Sequence, residues 1–148
     1  MPKAEFEKEC DVSAETLFAT ITDYDRYPEF VDGVKKVTTK KKPTGEVVCD
    51  NLMTMMGKEI AYTIQLQETP QSGKVTWSLL SSDQFRTNSG GWEVQALSKG
   101  RCKVKYWLEV DLSFSVPSFI MKGLIKSMLP SVVDSFVAQA KKRGSNGG

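Results

Sequence analysis

The side chains of this sequence that could act chemically on a substrate are carboxylates and thiols, because the chain contains no histidine. Histidine is the commonest general base at neutral pH, the commonest zinc ligand and the partner in Ser-His and Cys-His dyads. Its absence excludes most familiar hydrolase and metalloenzyme designs. The remaining candidates are Asp23, Asp25, Glu29, Asp50 and Glu68 among the carboxylates, and Cys10, Cys49 and Cys102 among the thiols.

None of these candidates has the sequence neighbours that mark a general acid, a general base or a nucleophile. Cys102 falls on the same side of its segment as Val104 and Tyr106, so we interpret it as a core residue. Cys10 and Cys49 are also more typical of small buried hydrophobic residues than of reactive thiols. Three widely spaced cysteines and no apolar N-terminal segment predict a reduced, cytoplasmic protein. We therefore predict no catalytic residue and no metal site.

The first part of the chain predicts one strand followed by two short helices. Residues Lys3 to Cys10 alternate between apolar and acidic side chains, as in a strand with one buried face. Residues 12–21 then carry apolar residues at helical spacing, with Ser13 placed to cap the first turn. Pro28 can begin a second short helix, and Gly33 ends it.

From Val34 onward the pattern changes to that of strands. The connections between the segments are short and rich in glycine and proline, so neighbouring strands must be antiparallel. Most segments alternate large apolar residues with polar ones, which predicts a sheet with one dry face and one wet face. The alternation is ambiguous near Met53, Met55 and Met56. The predicted strands are Val34–Lys42, Glu46–Met56, Lys58–Glu68, Lys74–Ser81, Phe85–Leu97 and Arg101–Phe114.

The segment Val116–Lys142 is the one helical candidate long enough to cover the dry face. At about 1.5 Å per residue it would extend roughly 39 Å. Its apolar residues project onto two faces that change over at Pro130, and proline removes a backbone hydrogen bond and clashes with the preceding turn. We therefore predict two joined helical pieces, and we hypothesise that Phe119–Leu129 is a mobile gate. Lys122 interrupts the apolar run, which argues against a membrane-spanning helix.

Together these elements predict an α+β protein in which a curved antiparallel sheet of six or seven strands wraps around a long C-terminal helix. The element order, the segment Asp23-Tyr-Asp-Arg-Tyr-Pro-Glu-Phe30 and the segment Gly90-Gly-Trp92 resemble the START-like (SRPBCC, helix-grip) superfamily. The similarity extends from Phe6 to Lys142 and is strongest to the group of polyketide cyclases, coenzyme Q-binding proteins and ribosome-association toxins. Length and composition predict a single domain over residues 1–143, followed by a flexible tail of glycine, serine and asparagine over 144–148.

The resemblance also implies a cavity between the sheet and the last helix that holds an apolar ligand such as a quinone or another lipid. Methionine adapts to irregular surfaces and tyrosine adds a polar group to an apolar wall, which suits a small-molecule site. The same side chains would equally fill an ordinary core. The expected lining residues are Tyr27, Phe30, Met53, Tyr62, Ile64, Trp77, Leu79, Trp92, Tyr106, Leu108, Leu124, Met128 and Phe136.

Five lysines lie close together at Lys35, Lys36, Lys40, Lys41 and Lys42. Charge of this kind protects an exposed edge strand from aggregation. The alternative is a patch for an anionic partner, such as ribosomal RNA or a membrane surface carrying phospholipid headgroups. The net charge of +2 gives no reason to expect DNA binding.

The sequence therefore predicts a monomer that carries, presents or senses a hydrophobic small molecule, with no cofactor beyond such a bound quinone or lipid. The alternative function is a toxin-like module that binds the ribosome and blocks subunit joining. A third is an enzyme of the cyclase or dehydrase type.

Overall fold

The computed structural model describes residues 3–55 and 57–145 and has the predicted α+β helix-grip architecture. One strand and two short helices precede six consecutive strands and a long helix, in the order expected from the sequence. Two short 3-10 turns accompany them, at Tyr24–Arg26 and Pro70–Ser72. The elements are β1 Lys3–Cys10, α1 Ala14–Ile21, α2 Tyr27–Phe30, β2 Val34–Lys41, β3 Val47–Met55, β4 Lys58–Thr69, β5 Lys74–Ser82, β6 Phe85–Ser98, β7 Arg101–Leu112 and α3 Ser118–Ser145.

The seven strands form one antiparallel sheet in the order β1-β7-β6-β5-β4-β3-β2. Strands β2 to β7 therefore make a meander in sequence order, and β1 is added beside β7. Gly45 and Gly57 lie in the connections that flank β3, and both have a positive φ, which glycine adopts without steric cost. The predicted tail overlaps the end of α3 at 144–145, and its remainder lies outside the described residues.

Side chains alternate along the strands as the sequence predicts, so one face of the sheet is buried. In β7, Cys102, Val104, Tyr106 and Leu108 point inward and are buried, while the residues that alternate with them are partly accessible. The ambiguity in β3 is resolved for the described part. Cys49 and Met55 lie on the inner face, whereas Met56 lies outside the described residues.

Local interactions fix the entry of the chain into the sheet. The Ser13 hydroxyl accepts a hydrogen bond from the Thr16 backbone N–H at 3.1 Å, which confirms the predicted helix cap. Pro28 lies in the first turn of α2, as expected. Gly33, with φ of 86°, follows α2, and its carbonyl accepts a 2.7 Å hydrogen bond from the Thr54 N–H. The turn after α2 is thereby attached to β3.

Helix α3 packs across the inner side of the sheet and against α1 and α2. Phe136 is its central contact, because its ring centroid lies 5.0 Å from those of Tyr27 and Phe30 and 4.7 Å from that of Trp92. Edge-to-face and tilted geometry at these distances is favourable for aromatic pairs. None of the described helices combines the length and apolarity needed to cross a membrane.

The prediction that α3 consists of two pieces with different apolar faces is wrong. The helix is continuous from Ser118 to Ser145, and Pro130 lies inside it. Proline at this position has no N–H to donate to the carbonyl of Lys126, one turn earlier in the same helix. The helical projection failed because it counted Ile120, which is 45% exposed, as part of a buried face. The buried residues form one stripe, namely Met121, Ile125, Leu129, Val133, Phe136, Val137 and Ala140.

The segment Gly90-Gly-Trp92 has a packing role that explains its two glycines. A Cβ atom on Gly90 would overlap the Trp107 carbonyl and would lie only 2.7 Å from Cζ2 of Trp77. A Cβ atom on Gly91 would overlap the Trp107 ring. Two indole rings can therefore lie directly against the β6 backbone because no side chain intervenes.

We expect Gly90→Ala to destabilise the fold by about 1–3 kcal/mol, because the added methyl group must displace Trp77 or the β7 backbone. The matched control is Gly100→Ala in the β6–β7 turn, where an added Cβ meets no atom within 4 Å. Urea denaturation of the two variants measures the difference. Equal free energies of unfolding would contradict this account of the glycine.

Candidate functional site

A cavity of about 140 Å³ lies between the inner face of the sheet and α3. Its walls come from the turn after α2, from strands β2 to β7 and from the middle of α3. The structure places ten of the thirteen predicted lining residues on these walls. They are Tyr27, Met53, Tyr62, Ile64, Trp77, Trp92, Tyr106, Leu108, Met128 and Phe136.

The other three predicted residues lie elsewhere. Phe30 packs behind the wall, against the rings of Tyr27 and Phe136. Leu79 is half-buried on β5 and packs against the core away from the cavity. Leu124 lies outside the cavity on α3, where it borders a groove on the surface.

This groove, which we call the mouth groove, has a volume of about 270 Å³ and runs between α3 and the loop that joins α2 to β2. It shares wall residues with the cavity, so the two spaces lie next to each other. On the helix side the groove is also lined by Leu124 and Ser135, which do not line the cavity. The shared residues are Val31, Asp32, Met53, Met55, Met128 and Val132.

Several polar groups in the cavity wall already have protein partners. The Tyr24 hydroxyl donates to the Glu68 carboxylate at 2.5 Å, and the Tyr27 hydroxyl donates to the backbone carbonyl of Ile21. The Trp77 indole N–H donates to the Asn88 side-chain oxygen at 3.1 Å. These bonds hold three aromatic rings in fixed orientations around the space.

Tyr62 and Tyr106 contribute two further phenol groups to the wall. The Tyr62 ring packs edge-to-face against Phe85 at 5.2 Å, and the Tyr106 ring stacks on Trp92 at 4.3 Å. Burial raises the pKa of Tyr62 to about 12. Burial, together with the nearby Tyr62, also raises the pKa of Tyr106. Both hydroxyls are therefore protonated, and able to donate a hydrogen bond, at neutral pH.

Sequence reasoning missed two amides in the wall, Asn51 and Asn88. We selected candidates by size and apolarity, and asparagine meets neither criterion. A signal was nevertheless present. Asn88 has the same strand parity as Trp92, and Asn51 has the same parity as Met53, so each is a polar residue on an otherwise apolar face.

Four of the five carboxylates considered for catalysis make contacts with other side chains, as described above for Glu68. Asp23 pairs with Arg26 and Arg143, both at 3.3 Å. Asp25 accepts a hydrogen bond from Thr39, and Asp50 accepts one from the Thr63 hydroxyl.

The Cys49 thiol borders the cavity, and burial raises its pKa to about 11, so at neutral pH it is not a thiolate nucleophile. Within residues 3–55 and 57–145, no cluster of three or more acidic or cysteine side chains could hold a metal ion.

The Tyr62 phenol should make stability depend on pH in the alkaline range. Its pKa rises from 10.0 to about 12 on folding, so it contributes stability that is complete below pH 10 and is lost as the pH rises through 12. We expect the free energy of unfolding to fall more steeply between these pH values in the wild type than in Tyr62→Phe, by up to about 1.4 kcal/mol per pH unit. Urea denaturation at several pH values measures both slopes, and parallel slopes would contradict the shift.

The chain matches the family model described as polyketide cyclase/dehydrase and lipid transport over residues 10–137. Among curated proteins it is similar to the ribosome association toxin RatA of Vibrio cholerae, with 27% identity over 130 residues that cover 88% of this chain and 89% of the relative. It is 22% identical to RatA of Escherichia coli K12, over 88% of this chain and 81% of that protein.

Solved structures share the fold at low sequence identity. A START superfamily protein from Mycobacterium smegmatis has a TM-score of 0.83 at 16% identity, covering 95% of this chain and 97% of that one. Human STARD10 has a TM-score of 0.82 at 16% identity, covering 97% of this chain and 64% of that one. These structures share the helix-grip fold of this chain. The family match over residues 10–137 shows that the chain belongs to the polyketide cyclase/dehydrase and lipid transport family.

Proposed function

We propose that this protein binds a hydrophobic small molecule, such as a quinone or another lipid, in the cavity between the sheet and α3. It would carry, present or sense this molecule without covalent chemistry. The observation that carries the proposal is the cavity of about 140 Å³, lined mainly by aromatic, methionine and aliphatic side chains and adjacent to a surface groove.

An energetic argument supports a functional role for this space. Cavities in protein cores cost about 24 cal/mol per Å³, so a space of about 140 Å³ corresponds to about 3 kcal/mol of lost stability. A typical domain has only about 5–15 kcal/mol of net stability. A protein that leaves this volume unfilled forgoes a substantial part of its stability, which an apolar ligand would restore by occupying the cavity.

The mouth groove supports a route for the ligand. Leu124 and Met128 lie on its helix side, within the segment Phe119–Leu129 that we propose as a mobile gate. Phe119 is 77% exposed and Ile120 is 45% exposed, whereas Met121, Ile125 and Leu129 are buried, so opening the gate would expose these three side chains. Ligand entry would follow outward movement of this part of α3.

Native mass spectrometry of the purified protein, before and after organic extraction, tests the proposal directly. We expect a co-purified apolar molecule that extraction removes, or uptake of added quinones or fatty-acid-derived lipids by the extracted and refolded protein. Finding neither would contradict the proposed function.

A variant in the mouth groove tests the route. Ser131→Trp places an indole among the groove residues and should slow ligand association several-fold, because the entrance is narrowed. The matched control is Ser127→Trp, at an exposed position one turn earlier that does not line the groove. Stopped-flow binding measures both association rates. Equal slowing in the two variants would point to a general effect on α3 and would contradict this route.

Ribosome binding is a second candidate function, favoured by the named role of the RatA relatives and by an exposed lysine patch. The patch lies along β2, which is an edge of the sheet, and in the residue that follows it. Lys35 pairs with Glu59 at 3.1 Å, and the other patch lysines are exposed. Contacts to RNA phosphates of this kind are electrostatic and weaken as salt rises.

If this second function holds, overexpression should reduce 70S ribosomes and polysomes in sucrose gradients, and replacing Lys36, Lys40, Lys41 and Lys42 together by glutamine should restore them. The replacement leaves the cavity intact, so uptake of an apolar ligand should be retained. Unchanged profiles on overexpression of the native chain would remove ribosome binding as a function while leaving the ligand proposal in place.

A further inference from the structure

The cavity wall contains polar groups that form no hydrogen bond with a described side chain. Tyr62 and Tyr106 hold their rings by aromatic packing, while their hydroxyls make no side-chain hydrogen bond within the part of the chain that the structure describes. The Asn88 side chain, which is only 6% exposed, uses its oxygen to accept the Trp77 N–H. Its amide nitrogen remains as a donor, since a primary amide carries two N–H groups.

These groups belong to one space. Tyr62, Tyr106 and Asn88 all border the same cavity, on β4, β7 and β6 respectively. Tyr62 lies close enough to Tyr106 to raise the pKa of the second phenol. A polar group that faces an apolar cavity costs free energy when nothing in the cavity bonds to it. A ligand oxygen would supply the partner that the protein does not.

The charge of the wall restricts the ligand further. No lysine or arginine is among the described residues that line the cavity, and the one ionisable carboxylate there, Asp32, lies where the cavity meets the mouth groove. Moving a carboxylate or a phosphate into such a site costs far more than moving a neutral group, because no cation compensates for its lost hydration. The cavity is therefore suited to an uncharged polar group.

The volume limits the size of the group that enters. An apolar protein cavity of about 150 Å³ holds a molecule of the size of benzene. The space of about 140 Å³ here corresponds to one six-membered ring. Any longer chain attached to that ring must extend into the mouth groove, whose wall includes Leu124 and Met128.

From these observations we infer that the cavity selects an uncharged amphiphile whose polar end is a single ring bearing a hydroxyl or carbonyl oxygen, bound by Tyr62, Tyr106 and Asn88. This inference rests on the proposed function, and it makes these three side chains the determinants of ligand specificity. Fatty acids and phospholipids, whose polar ends are charged, are excluded from binding head-first.

Three ligands of similar shape test separately the apolar space, the hydrogen-bonding groups and the exclusion of charge. Toluene tests the apolar space alone, p-cresol adds one hydroxyl, and p-toluate adds a negative charge. Isothermal titration calorimetry with the extracted wild-type protein should show that p-cresol binds at least as tightly as toluene and that p-toluate binds at least about a hundredfold more weakly than p-cresol. A hydroxyl placed in a cavity without partners would instead lower the affinity relative to toluene by about tenfold or more.

Substitutions then identify the partners. Tyr62→Phe and Tyr106→Phe should each weaken p-cresol by about tenfold and change toluene by less than about twofold, because only a hydroxyl is removed. The matched control is Thr63→Val, which removes a hydroxyl next to Tyr62 on the outer face, where it bonds to Asp50. It should change neither affinity. Thermal unfolding checks that each variant is folded. If a variant does not fold, the affinities of the wild type for the three ligands still show whether the cavity accepts an uncharged polar group.

The possible failures are distinguishable. Binding of toluene together with much weaker binding of p-cresol by the wild type would overturn the inference and leave the proposed function standing. Unchanged p-cresol affinity in both tyrosine variants would overturn the role of the phenols. Binding of p-toluate as tight as that of p-cresol would overturn the exclusion of charge. Failure of both toluene and p-cresol to bind would overturn the proposed function as well.

Discussion

The contact between Phe136 and the aromatic residues around it determines how the two layers of this protein are spaced. The ring of Phe136 is enclosed by Trp92 from the sheet and by Tyr27 and Phe30 from α2, with centroid separations of 4.7–5.0 Å. Aromatic rings are rigid and bulky, so they fix the distance between the helix and the sheet more firmly than aliphatic side chains do. The position of α3, and with it the space beneath the middle of the helix, depends on this cluster.

The cavity lies between the sheet and the middle of α3, on the N-terminal side of the contact made by Phe136. Towards its C-terminus α3 is also attached to the edge strand, where Lys8 pairs with Asp134 at 2.9 Å. Towards its N-terminus the wall is made of Met128 and Val132, and the opposing inward side chains do not fill the gap. Trp77 and Trp92 take up much of the remaining width, and the first of these can do so because Gly90 leaves the β6 backbone bare.

Much of the fold could be predicted from the sequence, because strand alternation and glycine-rich turns are local signals. All seven strands were identified, most within a residue or two of their observed ends. The cap at Ser13 and the start of a helix near Pro28 follow from equally local chemistry. The continuity of α3 through Pro130 could not be predicted in this way, because it depends on tertiary packing along one stripe of the helix.

The site was less predictable than the fold, for physical reasons. Apolar periodicity shows which side chains point inward, but an unfilled volume arises from how all of them pack, and no local pattern encodes that. Leu79 does not line the cavity in spite of its size, whereas Asn88 lines it in spite of its polarity. Inward-facing polar residues on apolar strands are the signal that would have improved the prediction.

The sheet order has a consequence for how the chain folds. Strands β2 to β7 pair with their neighbours in sequence, so they can assemble through successive hairpins with short loops to close. Strand β1 pairs only with β7, as in the register of Cys10 with Cys102, and most of the chain lies between these two residues. During synthesis the first strand must therefore wait, unpaired, until nearly the whole sheet has left the ribosome. Its acidic residues Glu5, Glu7 and Glu9 carry the kind of charge that disfavours pairing of an exposed strand with other chains.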